Sequence, residues 1–326
     1  GGGSGVFDWH SSDTEEWFKI NYDKFPKHLE FYKEHPITYH CNSDGFRSGE
    51  EYYEQKDREV DIVLGCSHTF GVGHHINNTW SHMLSQNTGR EVINLGVPGH
   101  GPETSYIILN RFIPFYKVRN VFHFQPIYPR YHVLQEYYDD NVKKYKHSTT
   151  NINSDHDYIM NFKYSDEYKS LMLDTEMIKY EHYKNVDAVR STCQRFGAKY
   201  YGIYDNPYIG LVGVYPFKLN HFDNLEQGNI PARDMYHFPL FSQRQIANTF
   251  CKMYRGVYSN DFNREESYNE HSVMFKERDY DGRYQYGYNG DGPNDDDDVF
   301  ESRSPAPTFP NEEQEPHLGN IFKRRI

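Results

Sequence analysis

Short apolar runs alternate with amphipathic stretches through the middle of the chain. Asp61-Ile62-Val63-Leu64-Gly65 is an apolar run closed by glycine, the pattern of a strand buried on both faces. Thr79 to Gln86 has helical spacing, with Trp80, Met83 and Leu84 on one side and Gly89 as the stop. Val92-Ile93-Asn94-Leu95-Gly96 predicts a second buried strand. Pro102 then opens a helix to about Phe112, with Ile107, Ile108 and Phe112 expected to face inward. Asn120-Val121-Phe122-His123-Phe124 predicts a third strand and Ala198 to Tyr204 a fourth. Between them, residues 126–165 are rich in Tyr, Asn and Asp with little period, a long loop or an inserted subdomain. Asp166 to Phe196 reads as one long helix or two, and Leu240 to Tyr254 as the last helix.

The flanks differ. Residues 6–56 are polar and aromatic, with one or two short helices expected over Thr14 to Phe31. A short strand follows at Ile37 to Cys41 and a turn at Asn42 to Gly45. The first five residues, Gly-Gly-Gly-Ser-Gly, have linker composition and carry no signal-peptide pattern. Past about Asn260 the periodicity stops, and Asp295 to Asp298 form an acidic run. Three units are therefore expected: an N-terminal extension at 1–56 packing on the core, an α/β domain at 57–255 with an insert at 126–165, and an extended or disordered acidic tail at 256–326. The order of strands and helices predicts a parallel sheet with helices on both faces, a three-layer α/β/α sandwich. In such sheets the site lies outside the carboxyl ends of the strands.

Composition changes this picture in two places. The 35 Lys and Arg against 47 Asp and Glu give a net charge of −12, which argues against binding nucleic acid through its phosphates. Residues 261–326 carry 16 acids against 8 bases, so most of that excess lies in the tail and says little about what the domain binds. The tail is thereby open to a protein partner or a neighbouring subunit. Phe, Ile, Val and Leu number 70 of 326, a fraction low enough that the core must be concentrated in the patterned part. No apolar run approaches the roughly 18 residues of a membrane span. Cys41, Cys66, Cys193 and Cys251 form no C-x-x-C pair and read as small buried hydrophobes.

Three loops carry candidate chemistry. Gly65-Cys66-Ser67-His68-Thr69-Phe70-Gly71 puts a serine just past a strand, either as an exposed hydroxyl on a sharp turn or as a helix N-cap. Asn94-Leu95-Gly96-Val97-Pro98-Gly99-His100-Gly101 allows close backbone approach to a phosphate or an oxyanion, without a nucleotide-binding fingerprint. Arg233-Asp234-Met235-Tyr236-His237 places a carboxylate behind an imidazole. His74, His75 and His100 cluster near these loops, but without metal-ligand spacing they read as caps or cleft lining; no metal or cofactor is expected.

These loops resemble the GDSL/SGNH hydrolases. Gly65 to Gly71 is similar to block I of that family, Val92 to Gly99 to block II, and Asp234-x-x-His237 to block V. Asn42-Ser43-Asp44-Gly45-Phe46-Arg47 is similar to a lead-in found in a subset. The resemblance covers about 37–255 and implies the flavodoxin-like SGNH fold. It implies Ser67 as nucleophile, His237 as base and Asp234 as the group orienting it, with Ser67 and Gly99 N–H groups in the oxyanion hole. Two departures stand out. Cys66 replaces the usual Asp of Gly-Asp-Ser and is itself an alternative nucleophile. The block III Gly-x-Asn-Asp is absent, and Gln125 or Arg130 stands where the Asn would donate. Arg130 is equally suited to a substrate carboxylate or sulfate, and His68 and His100 to lining the substrate cleft. The Cys-for-Asp form with this block III resembles SGNH-like proteins of phages, which would place the chain in a virion or a cytoplasm. The implied activity is a serine esterase that deacylates, for example deacetylates, a carbohydrate. An inactive scaffold with a structural or glycan-binding role, and a sugar O-acyltransferase, are the alternatives.

Overall fold

The computed structural model describes residues 4–126, 130–139, 144–153, 175–204, 215–216 and 230–257. All of these lie in one unit, residues 1–279; the second unit, 280–326, and nearly all of the expected tail lie outside the described residues.

In chain order the strands are β1 (Gly5–Phe7), β2 (Tyr39–Cys41), β3 (Glu59–Leu64), β4 (Val92–Asn94), β5 (Lys117–Phe124), β6 (Arg130–Asp139), β7 (Lys144–Asn153), β8 (Lys199–Tyr204) and β9 (Tyr215–Pro216). The helices are α1 (Glu15–Lys24), α2 (Pro26–Glu34), α3 (Ser67–Phe70), α4 (Trp80–Thr88), α5 (Pro102–Phe112), α6 (Thr175–Arg195) and α7 (Leu240–Tyr254). The central sheet has the order β4-β3-β5-β8-β9 and every pairing in it is parallel. That is the doubly wound order in which the chain starts centrally, steps to one side and then crosses to the other. The helices cover both faces, so the three-layer α/β/α architecture expected from the pattern is the one present.

The apolar runs are continuous because both faces are buried. Val60, Ile62 and Leu64 of β3 join Val121 of β5 under Leu109 and Phe112 of α5 and Val189 and Cys193 of α6. Val63 and Phe122 face the other way, onto Trp80 and Leu84 of α4 and Ile246 and Phe250 of α7. The one acid in this run, Asp61, is fully buried; Arg90 Nε donates to it at 2.7 Å and Asn120 Nδ2 at 2.9 Å. The α5 expectation needs one correction. Ile107 is 55% exposed, because the inward stripe of this helix runs through Ser105, Leu109 and Phe112, and Ile108 is only half-buried.

Within residues 126–165, expected as a long loop or an inserted subdomain, β6 and β7 pair antiparallel, Arg130 with Asn153 and Asp139 with Lys144. At the N-terminus, β1 and β2 pair antiparallel, and Thr14 caps α1 by accepting from Trp17 N. Leu29, Tyr32, Ile37 and Tyr39 pack with Phe70 and Val72, directly behind the loop that follows β3. All four cysteines are buried and free. No described helix is long and apolar enough to cross a membrane.

Candidate active site

The sheet's carboxyl edge is shaped first by two glycines. At Gly65 a Cβ would lie 2.6 Å from Phe124 O and 2.1 Å from Thr69 Oγ1, so only glycine lets β3 pass so close to the end of β5. Cys66 then takes the N-cap position of α3, and Ser67 is its first residue. Ser67 is therefore not the cap, and as first helical residue its N–H has no acceptor within the helix. Arg47, from the lead-in motif, is buried and closes the far end of this turn by donating to Phe70 O, Gly71 O and, at 2.6 Å, His74 O. Asn94 Nδ2 donates to Thr69 O at 2.8 Å and ties the loop after β4 to the same turn.

The segment before α7 is docked onto this turn along several seams. At Gly73, with φ +76°, a Cβ would sit 2.8 Å from Ala232 Cβ and 3.1 Å from Asp234 Oδ1. The missing side chain is what admits the Asp234 loop. Arg233 N donates to Gly73 O at 2.8 Å, and His74 Nε2 to Phe238 O at 2.6 Å. Gln243 accepts from Trp80 N at 2.9 Å and donates to His68 O at 3.4 Å.

Asp234 and His237 are joined within this docked segment. His237 Nδ1 lies 2.6 Å from Asp234 Oδ2, and both residues are buried. Asp234 Oδ1 accepts from the N–H groups of Tyr236 and His237, each at 3.1 Å, which closes an Asx turn with Met235 at φ +55°. Burial pushes the Asp234 carboxyl upward. The neighbouring His237 and the donors on both oxygens outweigh that and hold it well below the usual carboxylate range. An ionised carboxylate only accepts, so His237 carries its proton on Nδ1 and keeps Nε2 as the basic nitrogen.

The N-terminal extension completes this pair, which nothing in the sequence announced. Ser12 Oγ donates to Asp234 Oδ2 at 2.9 Å, and Asn21 Nδ2 to the Asp234 carbonyl at 2.9 Å. Arg233 forks onto Asp13 with Nε at 2.9 Å and Nη2 at 2.8 Å and lies 3.9 Å from the Trp9 ring. Tyr39 donates to Asp13 and accepts from Gly73 N at 2.8 Å; Tyr32 donates to Pro231 O at 2.6 Å. The N-terminal partners of Pro231, Arg233 and Asp234 are about 200 residues away in sequence, and no spacing rule reaches that far.

The other expected site residues fall as follows. Ser67 is buried, its Oγ lies 4.0 Å from Cys66 Sγ, and no hydrogen bond joins it to His237 among the described residues. Cys66 is fully buried. His68 is buried, its ring stacked on Phe238 at 3.7 Å and set edgewise against His237 at 4.9 Å. Gln125 is also buried. Its amide N–H groups go to His123 Nδ1 at 2.9 Å and Tyr200 OH at 3.1 Å, so they are not offered to an oxyanion. Gly99 is exposed at a turn tip with φ +76°, and His100 Nδ1 meets Pro98 O at 2.8 Å. His75 Nε2 reaches His35 O at 3.1 Å. Arg130 opens β6, and its side chain lies outside the described residues. No group of three metal-ligating side chains is gathered among the described residues.

No family model and no curated protein matches the chain. Solved structures similar to it include an acetyl xylan esterase from the rumen bacterium Butyrivibrio proteoclasticus, with 11% identity, 62% of this chain and 64% of that chain covered, and a TM-score of 0.35. A member of the lipolytic protein G-D-S-L family from Veillonella parvula is similar at 11% identity over 61% of this chain and 73% of that one, with a TM-score of 0.26.

Proposed function

We propose that the protein is a serine esterase that removes an acyl group, such as acetyl, from a carbohydrate. The observation that carries this reading is the buried His237–Asp234 pair, 2.6 Å apart, on a segment docked through Gly73 and His74 onto the turn that bears Ser67. A serine hydroxyl attacks an ester only when a positioned base removes its proton. His237 Nε2 takes that proton as Ser67 Oγ bonds to the carbonyl carbon. The imidazolium, stabilised by Asp234, then returns it to the departing alcohol. Water repeats the sequence in reverse and frees the acid. The backbone N–H of Ser67, with that of Gly99, supports the tetrahedral oxyanion, each donor being worth roughly 3 kcal/mol in such sites. The carbohydrate half of the reading follows the resemblance in the sequence blocks. Hydrolysis of p-nitrophenyl acetate tests the reaction. Turnover is expected from the wild type and not from Ser67→Ala, and equal rates in the two would refute it. Product analysis with a sugar acceptor present separates hydrolysis from acyl transfer.

A second reading, a non-catalytic scaffold with a structural or glycan-binding role such as a virion component has, is favoured by one observation. The side chain standing where the family's Asn would donate, Gln125, gives its amide protons to His123 and Tyr200 instead. That reading predicts glycan retention with no turnover.

A further inference from the structure

A groove of about 690 Å³ opens beside the Ser67 turn, within the range of roughly 300–1,000 Å³ usual for small-molecule sites. One wall is the loop after β4, including Pro98; the other is the N-terminal turn at Ser11. Both walls are anchored to the candidate active site. Val97 N donates to Gly65 O at 3.0 Å, two residues before Ser67, and two residues span at most about 7 Å. Ser11 and Ser12 sit at the tip of a turn closed by paired His10–Asp13 backbone bonds of 3.0 and 3.1 Å. Ser11 lines the groove with φ +59°, a left-handed conformation that a serine adopts only when its surroundings impose it, whereas Ser12 bonds Asp234. One rigid turn thus serves the groove and the His–Asp pair together.

We infer that this groove holds the neutral, polyhydroxylated part of the substrate, a pyranoside chain, with Asp44 and Arg111 as its specificity-determining residues. The inference rests on the reading of Ser67, His237 and Asp234 as the reacting groups. Asp44 and Arg111 lie 3.4 Å apart and cancel in charge, so the groove offers acceptors and donors without favouring an ion. Val97, Pro98 and Ile108, each half-buried, contribute an apolar wall, which suits the C–H face of a sugar ring. A fatty acyl chain fits poorly, because it would strip water from the Asp44–Arg111 pair and return nothing.

The test is a titration of the full chain, followed by NMR, with xylotriose, cellotriose, maltotriose and tri-N-acetylchitotriose, and with octanoate as the apolar control. At least one trisaccharide is expected to bind. Arg111→Gln and, separately, Asp44→Asn are expected to weaken it at least tenfold with the melting temperature held, Arg111 being 61% exposed. For the acetylated form of that sugar, the ratio of kcat/KM to that for p-nitrophenyl acetate is expected to fall tenfold in the same variants. Absence of trisaccharide binding, binding that neither variant weakens, or preference for octanoate would overturn the inference. Because the free sugars carry no ester, sugar binding without turnover would sink only the esterase reading. Turnover at Ser67 without sugar binding would sink only the groove.

Discussion

Ser12 and His237 share one oxygen of Asp234: the serine hydroxyl donates to Oδ2 at 2.9 Å and the imidazole Nδ1 lies 2.6 Å from the same atom. With the Tyr236 and His237 N–H groups on Oδ1, the buried carboxylate has four donors, which matches its accepting capacity. Removing the Ser12 hydroxyl frees Asp234 to rotate away from the geometry His237 needs. Ser12→Ala is expected to lower kcat about tenfold with KM little changed, since a hydrogen bond to a charged group is worth about 1.5–3 kcal/mol. Ser12→Thr is expected to restore most of the loss. Steady-state kinetics on p-nitrophenyl acetate read both.

Gly73 is the joint between the two halves of the site. Gly73→Ala must place a methyl 2.8 Å from Ala232 Cβ at a backbone φ of +76°. The expected outcome is a destabilisation of about 2 kcal/mol or more, with activity falling further than stability explains, because the loop carrying Asp234 and His237 is the part displaced. Urea unfolding and initial rates on the folded fraction separate the two effects.

His74 gives the fold a pH dependence with a definite sign. Burial, only partly offset by its bond to the Phe238 carbonyl, lowers its pKa to about 4. The unfolded chain therefore binds that proton more readily than the folded one. The stability tied to neutral His74 is complete above about pH 6.5 and is lost as the pH falls from there towards 4. Between pH 7.5 and 5.5 the wild type is expected to lose about 1 kcal/mol more than His74→Gln, which keeps a donor for Phe238 O and does not titrate. Urea midpoints at the two pH values check it; parallel losses in the two proteins would contradict it.

Arg233 and Asp13 are both buried and joined by a fork of bonds, so breaking the pair should cost more than deleting it. Arg233→Met leaves the buried Asp13 carboxylate with Tyr39 but without its cation and is expected to destabilise by about 3–5 kcal/mol. The double variant Asp13→Leu, Arg233→Met is expected to recover part of that loss. A double variant less stable than Arg233→Met alone would contradict it.

What the chain discloses by itself follows from distance along it. The strands were readable because β3 and β5 are buried on both faces and hence unbroken in their apolar runs. Asp234 and His237 were readable because three residues separate them. Ile107 was misplaced because three apolar residues at 107, 108 and 112 do not fix which side of α5 turns inward; Leu109 settles that only once α6 is in place. The surroundings of His68 gave no signal either, because its ring stacks on Phe238, far along the chain. Ser12, Asn21 and Asp13 gave no signal. Their functional neighbours, Asp234 and Arg233, are more than 210 residues away, and only the packing of the N-terminal segment behind Phe70 brings them together.

The central claim is that His237 and Asp234 activate Ser67. Treating the full chain with a fluorophosphonate and locating the adduct by peptide mass spectrometry tests it most directly. The predicted result is one phosphonylated residue, Ser67, with labelling lost in Ser67→Ala and strongly slowed in His237→Ala. An unlabelled wild type, or an adduct on another residue that persists in Ser67→Ala, would contradict the account.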